Sequence, residues 1–206
     1  HKDTLLNKII RNSFFLQNLA LKLTNYRNIT VHHNLEKMMT LNKIFYYIAY
    51  EEIKGDYFEF GLFQGTSFIA AMRAFKKYKK NQSIERNFFG FDSFSGIGKL
   101  DEDDIHPTYK TGLFKTNKNI IKNRIKKNAT KLNININLTE GYVEDTIKGK
   151  TSHDDKNSKI CAVCMLDMDM KVPTKIALNY IKDSLQIGSI IIFDEYHSYK
   201  GKHNKG

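Results

Sequence analysis

The chain has 206 residues, 41% of them hydrophobic and 27% charged, which is enough apolar side chain for one core of ordinary domain size and too much for a disordered chain. Its formal net charge is +11, yet the lysines are scattered in short clusters, as at Lys76, Lys77, Lys79 and Lys80, a pattern of solvated helix faces that argues against a nucleic-acid track. No stretch of about eighteen uncharged apolar residues occurs, so no membrane span is expected, and the polar beginning lacks the apolar core of a signal peptide.

Residues 3–24 carry apolar side chains at three-to-four spacing and read as an amphipathic helix. A second helix is expected over 34–53, with Asn34 as its candidate cap. The period then changes. "DYFEF" (56–60) reads as a first strand, and 66–80 as a helix capped by Thr66 or Ser67, with Lys and Arg in its last turns where the helix dipole favours them. "NFFGFD" (87–92) is a second strand. A long loop containing "LDEDD" (100–104) and "YKTGLF" (109–114) follows, of the length that functional lids have, and "LDEDD" is expected to be a solvated part of it. Further on come a helix over 116–130, a third strand over 132–141, a short helix or turn from Tyr142, a fourth strand "ICAVCMLDMD" (160–169), a helix with Pro173 near its start, and a fifth strand "SIIIFDEY" (189–196).

Alternating strands and helices predict an α/β, Rossmann-like, mostly parallel sheet with helices on both faces. The continuous apolar runs "FFGF", "CAVCML" and "SIIIF" fit strands buried on both sides. The reading divides the chain into an N-terminal helical extension over 1–54 and a ligand-binding domain over 55–206. The chain stops after "HSYKGKHNKG", so the sheet is expected to be truncated at its C-terminal end. Cys161 and Cys164 lie three apart on a strand, hence on opposite faces, and read as two buried thiols of a reducing, cytoplasmic setting.

In an open parallel sheet, ligands sit beyond the carboxyl ends of the strands. Those ends deliver acid five times: Glu59, Asp92, Glu140, Asp167 with Asp169, and Asp194 with Glu195. After the first strand the spacing is E-x-G-x-x-x-G, with Glu59, Gly61 and Gly65, which differs from the G-x-G-x-x-G of a pyrophosphate turn. Glycine admits a tight turn and a close ligand, and an acid beside it suits a cation. Asp92 at the end of the second strand is placed to accept ribose hydroxyls. A cationic nucleoside, S-adenosylmethionine, satisfies both. If the fourth strand persists, Asp167 and Asp169 face the same way. With the fifth strand adjacent, up to four carboxylates would then crowd one site, which calls for a divalent cation.

The stretches "FEFGLFQGTS", "FFGFDSFSGI", "EGYVEDTI", "LDMDMKVPTKIALNYIKDSLQIGSIIIFDEY" and "YHSYKG" together resemble class I S-adenosylmethionine-dependent methyltransferases, and within them the macrocin O-methyltransferase group, which methylates sugar hydroxyls. The resemblance implies that Glu59, Gly61, Gly65 and nearby Ser67 form the cofactor loop. It implies further that Asp92 holds the ribose, Ser93 and Phe94 flank the adenosine, and Glu140 and Gly141 border the adenine. It assigns magnesium to Asp167, Asp194 and Glu195, with Asp167 also beside the cofactor, and the general base to Asp169. The chain departs from the group with Glu195 where Asp is usual, Met168 between the two acids, and Lys171 where Tyr is common. A small-molecule or glycan acceptor follows. A catechol-type or nucleic-acid methyltransferase and a non-catalytic partner of the same fold stay open beside it, as does self-association through the N-terminal helices. Taken alone, Asp92 or Glu140 reads as loop charge, Glu144 and Asp145 as helix caps, and His106 and His197 as exposed histidines.

Overall fold

The structure, a computed structural model, describes residues 9, 13–25, 28–79, 84–106, 108–153 and 160–194. Residues 1–40 form one compact unit and 41–206 another. Helix α1, Phe14–Asn25, belongs to the first. Helix α2, Ile29–Tyr50, starts in the first and ends in the second. Leu41, Ile44, Phe45 and Ile48 of α2 are core residues of the sheet-bearing unit. The cap of α2 is Asn28, whose Oδ1 accepts from the Thr30 N–H at 2.9 Å. Asn34 lies inside the helix and donates to the Thr30 carbonyl instead.

The second unit continues with β1 (Asp56–Phe60), α3 (Thr66–Tyr78), β2 (Phe88–Asp92), α4 (Lys118–Leu132), β3 (Ile136–Glu140), the short α5 (Val143–Thr146), β4 (Cys161–Leu166), α6 (Lys171–Ile181) and β5 (Leu185–Phe193). The strands form one sheet in the order β3-β2-β1-β4-β5, and every neighbouring pair is parallel. Strand order reverses between β1 and β4, the position at which such sheets open a crevice.

Strand alternation sorts the core into two layers. Tyr57 and Phe88 point to the face covered by α2, α3 and α4, where they meet Phe45, Phe68, Met72 and Ile125. Phe58, Phe60, Phe89 and Phe91 point to the other face, against Ala177, Tyr180 and Ile181 of α6. Rings stack across the β1–β2 pair on that side, Phe58 on Phe89 at 5.0 Å and Phe60 on Phe91 at 4.5 Å. Such pairs add to sheet stability beyond the area they bury. Every residue of β4 is buried, as its apolar run predicts. The similar run in β5 is only half-buried, because β5 is an edge strand and lacks a neighbour on one side among the described residues.

Cys161 and Cys164 are both fully buried free thiols, but they share the second core layer rather than facing opposite ways. The β4 register shifts against both β1 and β5 between Cys161 and Val163, and that irregularity cancels the parity that a regular strand would give. Burial pushes the Cys161 thiol up to about 12 and the Cys164 thiol well above its ordinary range. At the opposite end of the sheet from the crevice, buried Arg86 donates to the carbonyls of Ile53, at 2.9 Å, and Gly55. Desolvation lowers its pKa to about 10. No described helix is long and apolar enough to cross a membrane. The tail on which the expected truncation rests, residues 195–206, lies outside the described residues.

Candidate functional site

The strand ends meet along one rim because the hydrogen-bond ladder runs past the strands. The Gly141 N–H donates to the Asp92 carbonyl, Gly61 to Phe91, Asp167 to Phe60 and Asp194 to Leu166, at 2.8–3.1 Å. Gly61 explains itself in this setting. Its φ is +91°, and a Cβ there would lie 1.7 Å from the Asp167 carbonyl oxygen, so only glycine lets β1 leave the sheet so close to β4. Gly65 serves packing. It ends the turn in the left-handed region as the N-cap of α3, and a Cβ would strike Ile125 of α4 at 2.8 Å. Neither Thr66 nor Ser67 caps the helix.

Ser67 turns instead to Glu59. Glu59 shares its strand face with Tyr57 and is fully buried beneath α3. Its Oε1 accepts from the Ser67 hydroxyl at 2.5 Å and its Oε2 from the Tyr57 hydroxyl. Burial, and then the Glu59 charge, push the Tyr57 phenol well above its ordinary range. The acid that the sequence places beside a ligand cation thus bonds to the buried Tyr57 hydroxyl and the half-buried Ser67 hydroxyl, which ties the first turn of α3 to β1.

Asp92 takes the opposite position. Its Oδ2 accepts from the N–H groups of Leu62 (2.6 Å) and Phe63 (2.8 Å), and its Oδ1 from Phe94 (2.5 Å). One carboxylate therefore organises the loops after both β1 and β2. It offsets the left-handed backbone of two aromatic residues, Phe63 at φ +46° and Phe94 at φ +54°. A cleft opens beyond these ends, and Gly61, Asp92, Ser93, Gly141 and Asp169 all line it. Phe94 is buried in the first core layer and lines nothing in the cleft. Tyr142, Glu144 and Met170 join the lining and were not legible as such. Glu144 reads as a cap in the sequence, whereas in the structure α5 has no side-chain cap.

Glu140 faces away from the cleft. Lys118 and Lys122 of α4 bind its two oxygens at 2.6 and 3.0 Å. The hydrogen bond from Lys118, then that from Lys122, lowers its pKa. Strand β4 ends at Leu166, and Asp169 adopts a left-handed backbone at φ +60°. Asp167 and Asp169 therefore do not share the parity that a longer strand would give. Asp167 and Asp194 leave adjacent parallel strands at equivalent register, next to Leu166 and Phe193. Among the described residues, no three His, Cys, Asp or Glu side chains gather closely enough to hold a metal ion. Glu195 and His197 lie outside the described residues.

The lid is more ordered than its composition suggests. Its base is zipped: the Ile97 N–H donates to the Leu113 carbonyl, Gly112 to Ile97, and the Thr111 hydroxyl to Gly98. Phe114 meets Phe63 of the β1 loop edge to face at 5.5 Å. The "LDEDD" stretch is not simply solvated, since Asp104 is 1% exposed and its Oδ1 accepts from the Lys171 N–H of α6 at 2.6 Å. His106 stays beside its own loop, on Tyr109 and Thr108.

A doubly covered parallel sheet with an acid-bearing cleft at its switch point is the arrangement in which open α/β sheets bind ligands. The family model of Macrocin-O-methyltransferase (TylF) matches residues 31–204. The chain belongs to that family of O-methyltransferases. Among solved structures it is similar to CalS11, calicheamicin methyltransferase, with a TM-score of 0.67 and 24% identity, over 93% of this chain and 76% of that one. An apo structure of CalS11, described as a TDP-rhamnose 3'-O-methyltransferase, matches with a TM-score of 0.55 and 22% identity over 91% and 74%. The O-methyltransferase NovP matches with a TM-score of 0.58 and 18% identity over 76% and 63%. At these identities the structural likeness establishes the fold. No curated protein matches the chain in sequence.

Proposed function

We propose that the chain transfers a methyl group from S-adenosylmethionine to a hydroxyl of a sugar or sugar-like acceptor, free, glycosidic or nucleotide-linked. The observation that supports this most is the convergence of Gly61, Asp92, Gly141 and Asp169 on one cleft in a member of an O-methyltransferase family. When bound, S-adenosylmethionine supplies a methyl carried on a sulfonium, which leaves as a neutral thioether. A carboxylate accepts about four hydrogen bonds, and three of those at Asp92 are made by backbone. The remaining capacity suits a ribose hydroxyl. Gly61 and Gly141 bring bare backbone to the wall that would meet the nucleoside. On the opposite wall, Asp169 is the general base that takes the acceptor hydroxyl proton, and positioning of the two reactants supplies much of the rate.

A magnesium ion on Asp167, Asp194 and Glu195 is the finer part of the proposal. It is supported by the equivalent register of Asp167 and Asp194, while the described residues alone do not complete a three-ligand site. Chelation tests it: turnover that survives exhaustive EDTA treatment removes the metal from the scheme. The two buried thiols support a cytoplasmic setting. The exposed Phe14, Phe15 and Leu21 of α1 support self-association through that helix, which light scattering of the purified chain would read. The function itself is tested by incubating the protein with methyl-labelled S-adenosylmethionine and a panel of nucleotide-sugars, glycosides, catechols and RNA. Label in the sugar-bearing acceptors is expected. Label only in catechol or RNA would move the chain to another acceptor class.

A further inference from the structure

Helix α6 begins without a cap of its own. Its N-cap residue is Met170, extended at φ −130° and ψ 149°, and the Met170 side chain makes no capping hydrogen bond. Asp104, 67 residues earlier, fills that role from the lid through the 2.6 Å bond to the Lys171 N–H. A buried carboxylate at a helix N-terminus is favoured by both the free N–H and the helix dipole. The bond also has a place in the site. Lys171 follows Met170, which lines the cleft, and Asp169, which lines it from a left-handed backbone. The same lid is fixed at its other end by the Ile97–Leu113 and Gly112–Ile97 bonds, beside the Asp92 wall. The loop therefore spans from one wall of the cleft to the other, with Asp104 as its anchor on the far side.

We infer that Asp104 is a positioning residue: by capping α6 from the lid, it holds Asp169 and Met170 in place at the acceptor wall. This rests on the reading of Asp169 as the general base. Asp104 touches neither reactant in this account. Its removal leaves the Asp92 wall intact and loosens the segment that carries the base.

Two substitutions remove the bond from opposite ends. Asp104→Ala deletes the acceptor. Lys171→Pro deletes the donor N–H while keeping a residue favoured at the first helical position, and extended Met170 is compatible with a following proline. Asp104→Asn retains an acceptor oxygen. Hydrogen exchange of the unliganded protein, read over residues 98–112 and 168–176, is expected to speed up by at least about tenfold in Asp104→Ala and in Lys171→Pro. The double variant should be no faster than either, and Asp104→Asn should remain near the wild type. Affinity for S-adenosylhomocysteine should stay within about threefold of wild type in all of them, while turnover of any acceptor the wild type methylates falls in Asp104→Ala and recovers in Asp104→Asn. Unchanged exchange over 168–176 in Asp104→Ala, or additive effects in the double variant, would overturn the inference. Should the wild type fail to bind S-adenosylhomocysteine, the methyltransferase reading falls, while the exchange experiment still decides whether Asp104 holds the helix.

Discussion

Glu59 and Asp92 close neighbouring strands at the same rim, yet they serve different ends. Glu59 is opposite Gly90 in the β1–β2 register and shares the face of Tyr57, so it falls beneath α3 and is sealed there. Asp92 lies one step past Phe91, where β1 has already given way to Gly61, and its carboxylate meets loop backbone and cleft. Two residues of position along parallel strands separate a carboxylate that holds the fold from one that shapes a site. The contrast teaches that an acid at a strand end becomes available to a ligand only where strand parity stops applying.

The comparison breaks most severely at Gly61, the residue that both regions share. Gly61→Ala places a methyl 1.7 Å from the Asp167 carbonyl oxygen and is expected to destabilise the fold by at least about 4 kcal/mol, seen as a collapsed urea midpoint. Next comes Glu59→Ala. It removes the carboxylate partner of the buried Tyr57 hydroxyl and of the half-buried Ser67 hydroxyl and should cost about 2–4 kcal/mol in urea unfolding, with affinity for S-adenosylhomocysteine unchanged per folded molecule.

A smaller effect follows from the thiols. Cys161 is raised from 9.0 to about 12, and Cys164 and Tyr57 are raised as well. A raised folded pKa means that the unfolded chain gives up its proton first. Stability is then complete below the unfolded pKa and declines as pH rises, here from about pH 9 upward. Each thiol contributes up to about 1.4 kcal/mol per pH unit in that window. Arg86 acts with the opposite sign above about pH 10, since its folded pKa is lowered. Urea midpoints measured from pH 8 to 10 should fall, and Cys161→Ala combined with Cys164→Ala should flatten the decline. The smallest effect belongs to Glu140→Gln, which removes only exposed ion pairs with Lys118 and Lys122 and should leave ligand affinity unchanged.

The sheet was legible because β1, β2 and β4 are short apolar runs bounded by polar turns, and the position of the rim followed from the parallel topology. Gly61, Asp92, Ser93, Gly141 and Asp169 were found at the cleft because strand ends in such a sheet must converge. Glu59 and Glu140 do not line the cleft, because sequence locates a residue along a strand, while the direction of its side chain near the end depends on where the strand stops, and Ser67 follows Glu59 as its hydrogen-bond donor. Gly65 shows that a turn glycine can answer to a packing neighbour, here Ile125, which no local pattern announces. Asp104 was read as solvated because its partner is 67 residues away. The only local hint was a helix opening on Met170 and Lys171 without a capping side chain of its own.

The central claim is that the rim cleft organised by Asp92 is where the methyl donor binds. Isothermal titration with S-adenosylhomocysteine addresses it directly, comparing wild type, Asp92→Ala and Glu140→Gln. The account predicts saturable binding to the wild type and to Glu140→Gln, and an affinity at least about tenfold weaker in a folded Asp92→Ala protein. Equal affinity in all three, or no binding to the wild type, would contradict it.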